Sequence, residues 1–343
     1  MDIKETLKEL AALTSVSGAE SKIATTLCSM LKSYTNDIKI DNLGSVSATI
    51  KKPQNGAANI LLDAHIDQIG LIVTAITDEG FLRVASVGGM DRRIMLAQRV
   101  NVHTKSGEIV GVIASMPPHL ESGEEMKKTP TIDKLLVDVG MDKSTTEKNV
   151  NLGDRITIKA NNCELLNGNF SGQACDDRAG VVSVLKAVDN LKGKDFDFGL
   201  TVLFSTQEET GERGAIAAGY SAEYDTVIAM DVSFAHTPDA VEYKCGKLGG
   251  GAMIGIAPSL TKSISDKLTA IAKEKNIPYQ LEIMAGKTGT NADALSVAAG
   301  GKQSGLLSIP LRYMHTPIET VAISDIAAVS DLLTDFILSG KGV

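Results

Sequence analysis

Apolar residues recur every three or four positions at the start of the chain, at Ile3, Leu7, Leu10 and Leu13. This spacing predicts a helix ending at a turn over residues 15–18. A second helix is expected over 20–33, with Ile23, Leu27, Met30 and Leu31 inward. The pattern then shortens to a strand at 46–50, a turn at 55–58, and a core strand at 59–63 that delivers Asp63, His65 and Asp67 at its end. From Gly70 to about Asn161 the runs at 71–76, 81–86, 98–104, 108–114, 135–140 and 155–159 are all strand-like, and no long helical period appears. Gly, Pro and charged residues punctuate the gaps, so the stretch reads as a small β-rich domain with its own core, inserted into another. Residues 121–131 are expected to form a mobile surface loop within it.

After Gly172 helices and strands alternate. Helices are expected at 179–190, 215–218, 263–275 and 318–338, and strands at 200–205, 226–230, 279–284 and 306–309. The fold class that follows is α/β: a largely parallel or mixed central sheet with helices on both faces, interrupted by the smaller β-rich domain. Residues 1–69 with 163–343 form the larger domain and 70–162 the insert. Ligands of such sheets bind outside the carboxyl ends of the strands.

Composition narrows the classes. The chain has 343 residues, 43% hydrophobic and 22% charged, enough for two domains with real cores. A net charge of −8 without a basic stripe argues against nucleic acid. No unbroken run of apolar residues is long enough for a membrane span, and the N-terminus lacks the basic start of a signal peptide. The four cysteines, at 28, 163, 175 and 245, are scattered and read as reduced thiols, so the cytoplasm is the expected location.

Candidate chemistry gathers at predicted strand ends. The stretch 201–214 is a buried strand followed by Glu208 and Glu209, adjacent carboxylates that cost desolvation unless they bind a cation or exchange a proton. On an extended end their side chains diverge, which lets one bind metal while the other handles a proton. In DAHIDQ, His65 and Asp67 point the same way, so one can ligate while the other accepts the imidazole's second N–H. Asp176 and Asp177 precede a helix; capping is the plain explanation, although two adjacent aspartates after a glycine-bearing loop are modestly more than a cap requires. Asp231 ends a strand and His315 follows another. Of the other histidines, His103 is assigned to the β-rich domain, and His119 and His236 to structural roles.

These residues sit in ordered motifs: SVSGAE, DAHIDQIG, LLVDVG, SGQACDDRAG, STQEETGERGA, AMDVS, TNADA and SIPLRYMHTPIE. Along its whole length the chain resembles the M42 family of metallo-aminopeptidases, relatives of glutamyl and tetrahedral aminopeptidases, some of them labelled endoglucanase or cellulase M. The resemblance implies two divalent ions per subunit, Zn²⁺, Co²⁺ or Mn²⁺. His65 and Asp231 would hold one, Glu209 and His315 the other, and Asp176 would bridge them. Glu208 would be the general base, Asp67 would orient His65, and Asp177 would support an unusual backbone geometry, commonly a cis peptide. The implied substrates are short peptides with a free N-terminus, and the implied assembly, through the β-rich domain, is a homo-oligomer, tetrahedral dodecamers included. Gln68 and the loop 246–255, which lacks a proline after its glycines, depart from the family pattern and bear on pocket shape rather than on ligands.

Three rival readings remain at this stage. An amidase or deacylase acting on other small amides would use the same chemistry. A non-catalytic peptide-binding or assembly protein would need a vestigial site. A cellulase is disfavoured: with no tryptophan and 4% aromatics, the chain is poorly provided with surfaces for sugar rings.

Overall fold

The computed structural model describes residues 1–54, 56–115, 119 and 129–339. Asn55 of the expected turn and residues 121–128 of the expected surface loop lie outside the described residues. Helix α1 (Ile3–Ala11) begins where the Asp2 carboxylate accepts the Glu5 N–H at 3.0 Å. It buries Leu7 and Leu10, and α2 (Ser21–Leu31) buries Ile23, Leu27 and Leu31 in the same layer. Strands β1 (Ile38–Ile40), β2 (Val46–Lys51) and β3 (Asn59–His65) follow.

The chain then leaves to build a closed barrel. Its strands are β4 (Gly70–Ile76), β5 (Leu82–Val87), β6 (Arg99–Thr104), β7 (Gly107–Ile113), β8 (Leu136–Asp138) and β9 (Arg155–Ile158). They close in the order β4-β5-β8-β7-β6-β9, with antiparallel pairing throughout. Alternation decides which side chains fill it: Val100 and Val102 of β6 turn inward to meet Leu71, Val73, Leu82, Val84, Val137 and Ile156. Within the insert, one helix was not anticipated from the pattern. Helix α3 (Lys143–Asn149) is short and polar, and it is started by the Asp142 carboxylate accepting the Thr145 N–H at 2.8 Å. A cap rather than an apolar period defines it.

On its return the chain completes the central sheet with β10 (Cys163–Leu165), β11 (Asn169–Gly172), β12 (Gly199–Ser205), β13 (Thr226–Phe234), β14 (Ala252–Ile256), β15 (Tyr279–Ile283), β16 (Gln303–Arg312) and β17 (Glu319–Ala322). The order is β1-β2-β12-β3-β13-β16-β17-β11-β10, with β14 also paired to β16 and β15 outside it. Strands β12, β3, β13 and β16 run parallel, while β2, β17, β11 and β14 join their neighbours antiparallel, so the sheet is mixed. Helices α4 (Cys175–Leu191), α6 (Lys262–Lys275) and α8 (Ile323–Leu338) share one apolar layer with Ile60, Leu62, Val202, Phe204, Ile228 and Met230. The opposite face packs Leu61, Leu203 and Val227 against α5 (Arg213–Ser221) and α7 (Asn291–Ser296). The expected two-faced α/β sheet with a β-rich insert is therefore the observed fold.

Among the differences from expectation, two have a clear local cause. The last helix starts at Ile323, because residues 319–322 pair with β11 and β16 as strand β17 instead of extending the amphipathic helix. Strand β14 was hidden by the glycine run that precedes it. Gly251 has φ +90°, and a Cβ there would lie 2.0 Å from the Pro278 carbonyl oxygen, so glycine is what lets β14 approach β15.

Candidate metal centre

His65 is the last residue of β3 and points away from the α4 layer, on the face shared with Asp63. Asp67 follows in a fully buried position. Its carboxylate accepts the Ser17 hydroxyl at 2.6 Å and the backbone N–H groups of Glu208 at 2.9 Å and Glu209 at 3.2 Å. It also lies 3.4 Å from His65 Nδ1. Asp67 thus ties three segments together: the turn at 15–18, the end of β3 and the loop after β12.

At the start of α4 the two aspartates part company. The bond between them is cis, and both have non-helical backbone angles. Asp177 does what a cap does, its Oδ1 accepting the Gly180 N–H at 2.9 Å. A Cβ at Gly180 would sit 2.3 Å from that carboxylate, so the glycine leaves room for the cap. Asp176 turns the other way. Its Oδ1 lies 2.9 Å from His65 Nε2 and its Oδ2 lies 3.4 Å from His315 Nε2.

After β12, Gln207 takes φ +56° and the chain turns, with Glu208 and Glu209 following beyond the carboxyl end of the strand. Glu209 Oε2 is 3.4 Å from His315 Nε2, whereas Glu208 takes no part in either ligand cluster. Of the two adjacent carboxylates, Glu209 alone joins a cluster. Asp231, near the carboxyl end of β13, is buried beside them. His315 adopts φ +61° in the loop after β16, with Nδ1 against the Gly89 carbonyl at 3.0 Å.

Two triads result: His65, Asp176 and Asp231, and Asp176, Glu209 and His315. Within each, one ligand atom per residue lies within 4.8 Å of the others, and Asp176 belongs to both. Imidazole and carboxylate donors at this spacing fit a divalent ion in each triad.

The electrostatics agree with that fit. Burial pushes Glu208 up to about 7 and Glu209 up to about 8, with the Asp176 and Asp67 charges adding to the effect and His65 opposing it. Burial likewise raises Asp231 well above the usual carboxylate range. Asp67 and Asp176 go the other way. Burial opposes their charge, but bonds from His65 to both, and from His315 to Asp176, hold them below the usual range. His315 rises to about 9, chiefly through its bond to Asp176. Crowded carboxyl groups that resist ionising together are what a dication would relieve.

Some supporting residues lie within the sequence motifs, but nothing local in the sequence marks their roles. Arg178 is fully buried one residue past the cap, donating to the Ile66 carbonyl and, at 2.6 Å, to Ser15 Oγ. Its charge lies near Asp67, Asp177 and Glu319. Asn291, at the start of α7, donates to Asp63 Oδ2 and Ser205 Oγ, each at 2.8 Å, beneath His65. Glu319 is buried and accepts the backbone N–H groups of Asp176 at 3.1 Å and His315 at 2.8 Å. These contacts join residues 86 or more positions apart or end on backbone groups. His103 lies in the barrel, its Nε2 2.9 Å from Thr157 Oγ1, away from both triads.

Comparison with known proteins bears on this geometry. The family model of M42 glutamyl aminopeptidases matches residues 44–332. The chain belongs to the M42 peptidase family. It is an aminopeptidase, and so a hydrolase, by that membership. Among its relatives, the lysyl aminopeptidase of Pyrococcus furiosus is 32% identical, the match covering 94% of this chain and 93% of the relative. The aminopeptidase of the archaeon Desulfurococcus kamchatkensis superposes with a TM-score of 0.91 at 34% identity, covering 99% of this chain and 98% of its own. The Pyrococcus horikoshii TET1 peptidase, which can assemble into a tetrahedron or a large octahedral shell, gives a TM-score of 0.85 at 29% identity, over 98% and 99%. No helix among the described residues is long and apolar enough to cross a membrane.

Proposed function

We propose that this M42 member is a dinuclear-metal aminopeptidase that removes N-terminal residues from short peptides. The observation that carries the reading is Asp176, whose two carboxylate oxygens each face a different imidazole. In this reading His65, Asp176 and Asp231 would hold one divalent ion and Asp176, Glu209 and His315 the other, with Asp176 shared between them. Zn²⁺, Co²⁺ and Mn²⁺ all suit such donors. When bound, the ions supply a water of lowered pKa and Lewis-acid polarisation of the scissile carbonyl.

The chain's own groups do the rest. Glu208 stands outside both triads, and a carboxyl held near 7 suits a group that takes a proton from water and returns it to the leaving amine. Asp67 orients His65 and, through the Glu208 and Glu209 N–H groups, keeps the proton carrier and a ligand in one loop. A free α-amino group within reach of a neighbouring carboxylate would confine cleavage to the N-terminal residue. We read residues 1–69 with 163–343 as the catalytic domain and 70–162 as the assembly domain of a homo-oligomer, by analogy with the TET1 peptidase. A reducing location, the cytoplasm, suits the four free thiols.

The test is a panel of amino-acyl chromogenic amides with N-blocked controls, after chelation and re-addition of each metal. Metal-dependent release confined to unblocked substrates is expected. Equal release from blocked substrates would move the reading to another amidase, and silence with the metals bound would refute catalysis on amides.

A further inference from the structure

Glu319 is the first residue of β17, and the ladder fixes its backbone opposite Gly172, the last residue of β11. The chain runs from that point directly into Asp176. On the other side, His315 lies four residues before Glu319. The Glu319 side chain reaches back to both, Oε2 accepting the Asp176 N–H at 3.1 Å and Oε1 accepting the His315 N–H at 2.8 Å. Each donor belongs to a residue in an awkward backbone state. Asp176 stands at the start of α4 with φ −80° and ψ 105°, where its N–H has no helical acceptor. His315 is a non-glycine residue at φ +61°, a conformation that side chains disfavour and that surrounding contacts must hold.

We propose that Glu319 is a positioning residue, a carboxylate clamp that sets Asp176 and His315 at the separation the second ion requires. The proposal rests on the two-ion reading above. The clamp acts at the triad of Asp176, Glu209 and His315, because His315 belongs to that triad alone. Burying a carboxylate beside Asp176 is unfavourable for folding by itself, and two backbone N–H donors are what make it tolerable.

A built-in control exists. Asp325 is also fully buried and also accepts two backbone N–H groups, those of Gly249 at 2.7 Å and Gly251 at 2.8 Å, but neither donor belongs to a ligand. It secures a loop without touching the metal centre.

The experiment measures Zn²⁺ and Co²⁺ affinity and stoichiometry by chelator competition, together with the Co²⁺ visible spectrum. It compares the wild-type protein with Glu319→Gln, Glu319→Asp and Asp325→Asn. A glutamine offers one acceptor and turns its amide N–H₂ against the other donor. Glu319→Gln is expected to weaken the second ion about 10- to 100-fold, change the Co²⁺ spectrum and leave the first ion closer to wild type. Excess metal should restore kcat in part at a near-constant KM. Glu319→Asp, one methylene shorter, should fall between, and it carries the test if the glutamine variant fails to fold. Asp325→Asn should lower the melting temperature without moving either affinity. Wild-type affinities and spectrum in the folded Glu319 variants would overturn the clamp alone. A wild-type protein that binds fewer than two ions would overturn both the clamp and the reading beneath it.

Discussion

Along β3, Ile60, Leu62 and Ala64 enter the apolar layer beneath α4 and α8, while Leu61, Asp63 and His65 alternate to the other face. β13 repeats the division, with Ile228, Met230 and Val232 on one side and Val227, Ala229 and Asp231 on the other. Past their polar first residues, Asn59 and Thr226, both faces of these strands begin apolar. They diverge only toward the carboxyl ends, where one continues as core and the other turns to histidine and carboxylate. A two-residue period thus lets one strand supply folding energy and chemistry without mixing them. The first layer should fail by unfolding, and the second by losing metal or rate.

The largest effect is expected on the polar face. Glu208→Gln should cost about 10²- to 10⁴-fold in kcat while leaving fold and metal content intact, as read by steady-state kinetics and metal analysis. Near-wild-type turnover would remove Glu208 from the proton-carrying role. On the apolar face, Leu62→Ala should cost about 2–5 kcal/mol in denaturant unfolding while the folded fraction keeps the wild-type metal stoichiometry. A loss of metal at full stability would erase the distinction between the faces.

A smaller effect comes from pH. In metal-free protein Glu208 rises to about 7 and Glu209 to about 8 from 4.5, so between those values the folded state holds protons that the unfolded chain has released. Their contribution to stability is therefore present at low pH and lost as pH rises through that window. His315, raised from 6.5 to about 9, stabilises below 6.5 and loses that contribution as pH rises through 9, the same direction. The melting temperature of chelated protein should fall from pH 5 to 9, and saturating divalent ion should flatten the slope. A metal-free melting temperature that climbs over that range would contradict the crowding of carboxyl groups.

The fold was legible where a period was long enough to repeat. Leu7 and Leu10 mark α1, Val100 and Val102 mark a barrel strand, and the run at 59–65 marks a buried strand. It was illegible where contacts rather than period decide. Residues 319–322 continue the apolar rhythm of α8, yet they pair as a strand because β11 and β16 offer open edges. The histidines and carboxylates suspected of chemistry come together in space. For Asp177 the bland explanation as a cap was right, while its neighbour Asp176 turns into the site. Ser17, Arg178 and Glu319 stand inside the sequence motifs, but their roles could not be read there, because each acts on a distant backbone group or on a residue from another part of the chain.

The central claim is that Asp176 is shared. The most direct measurement counts divalent ions per chain, by elemental analysis after desalting, for the wild-type protein and Asp176→Ala. The account expects two ions on the wild type and a joint loss of both on the variant, with the protein still folded by circular dichroism. Retention of one ion at wild-type affinity would show that the two sites do not share this carboxylate, and would contradict the account.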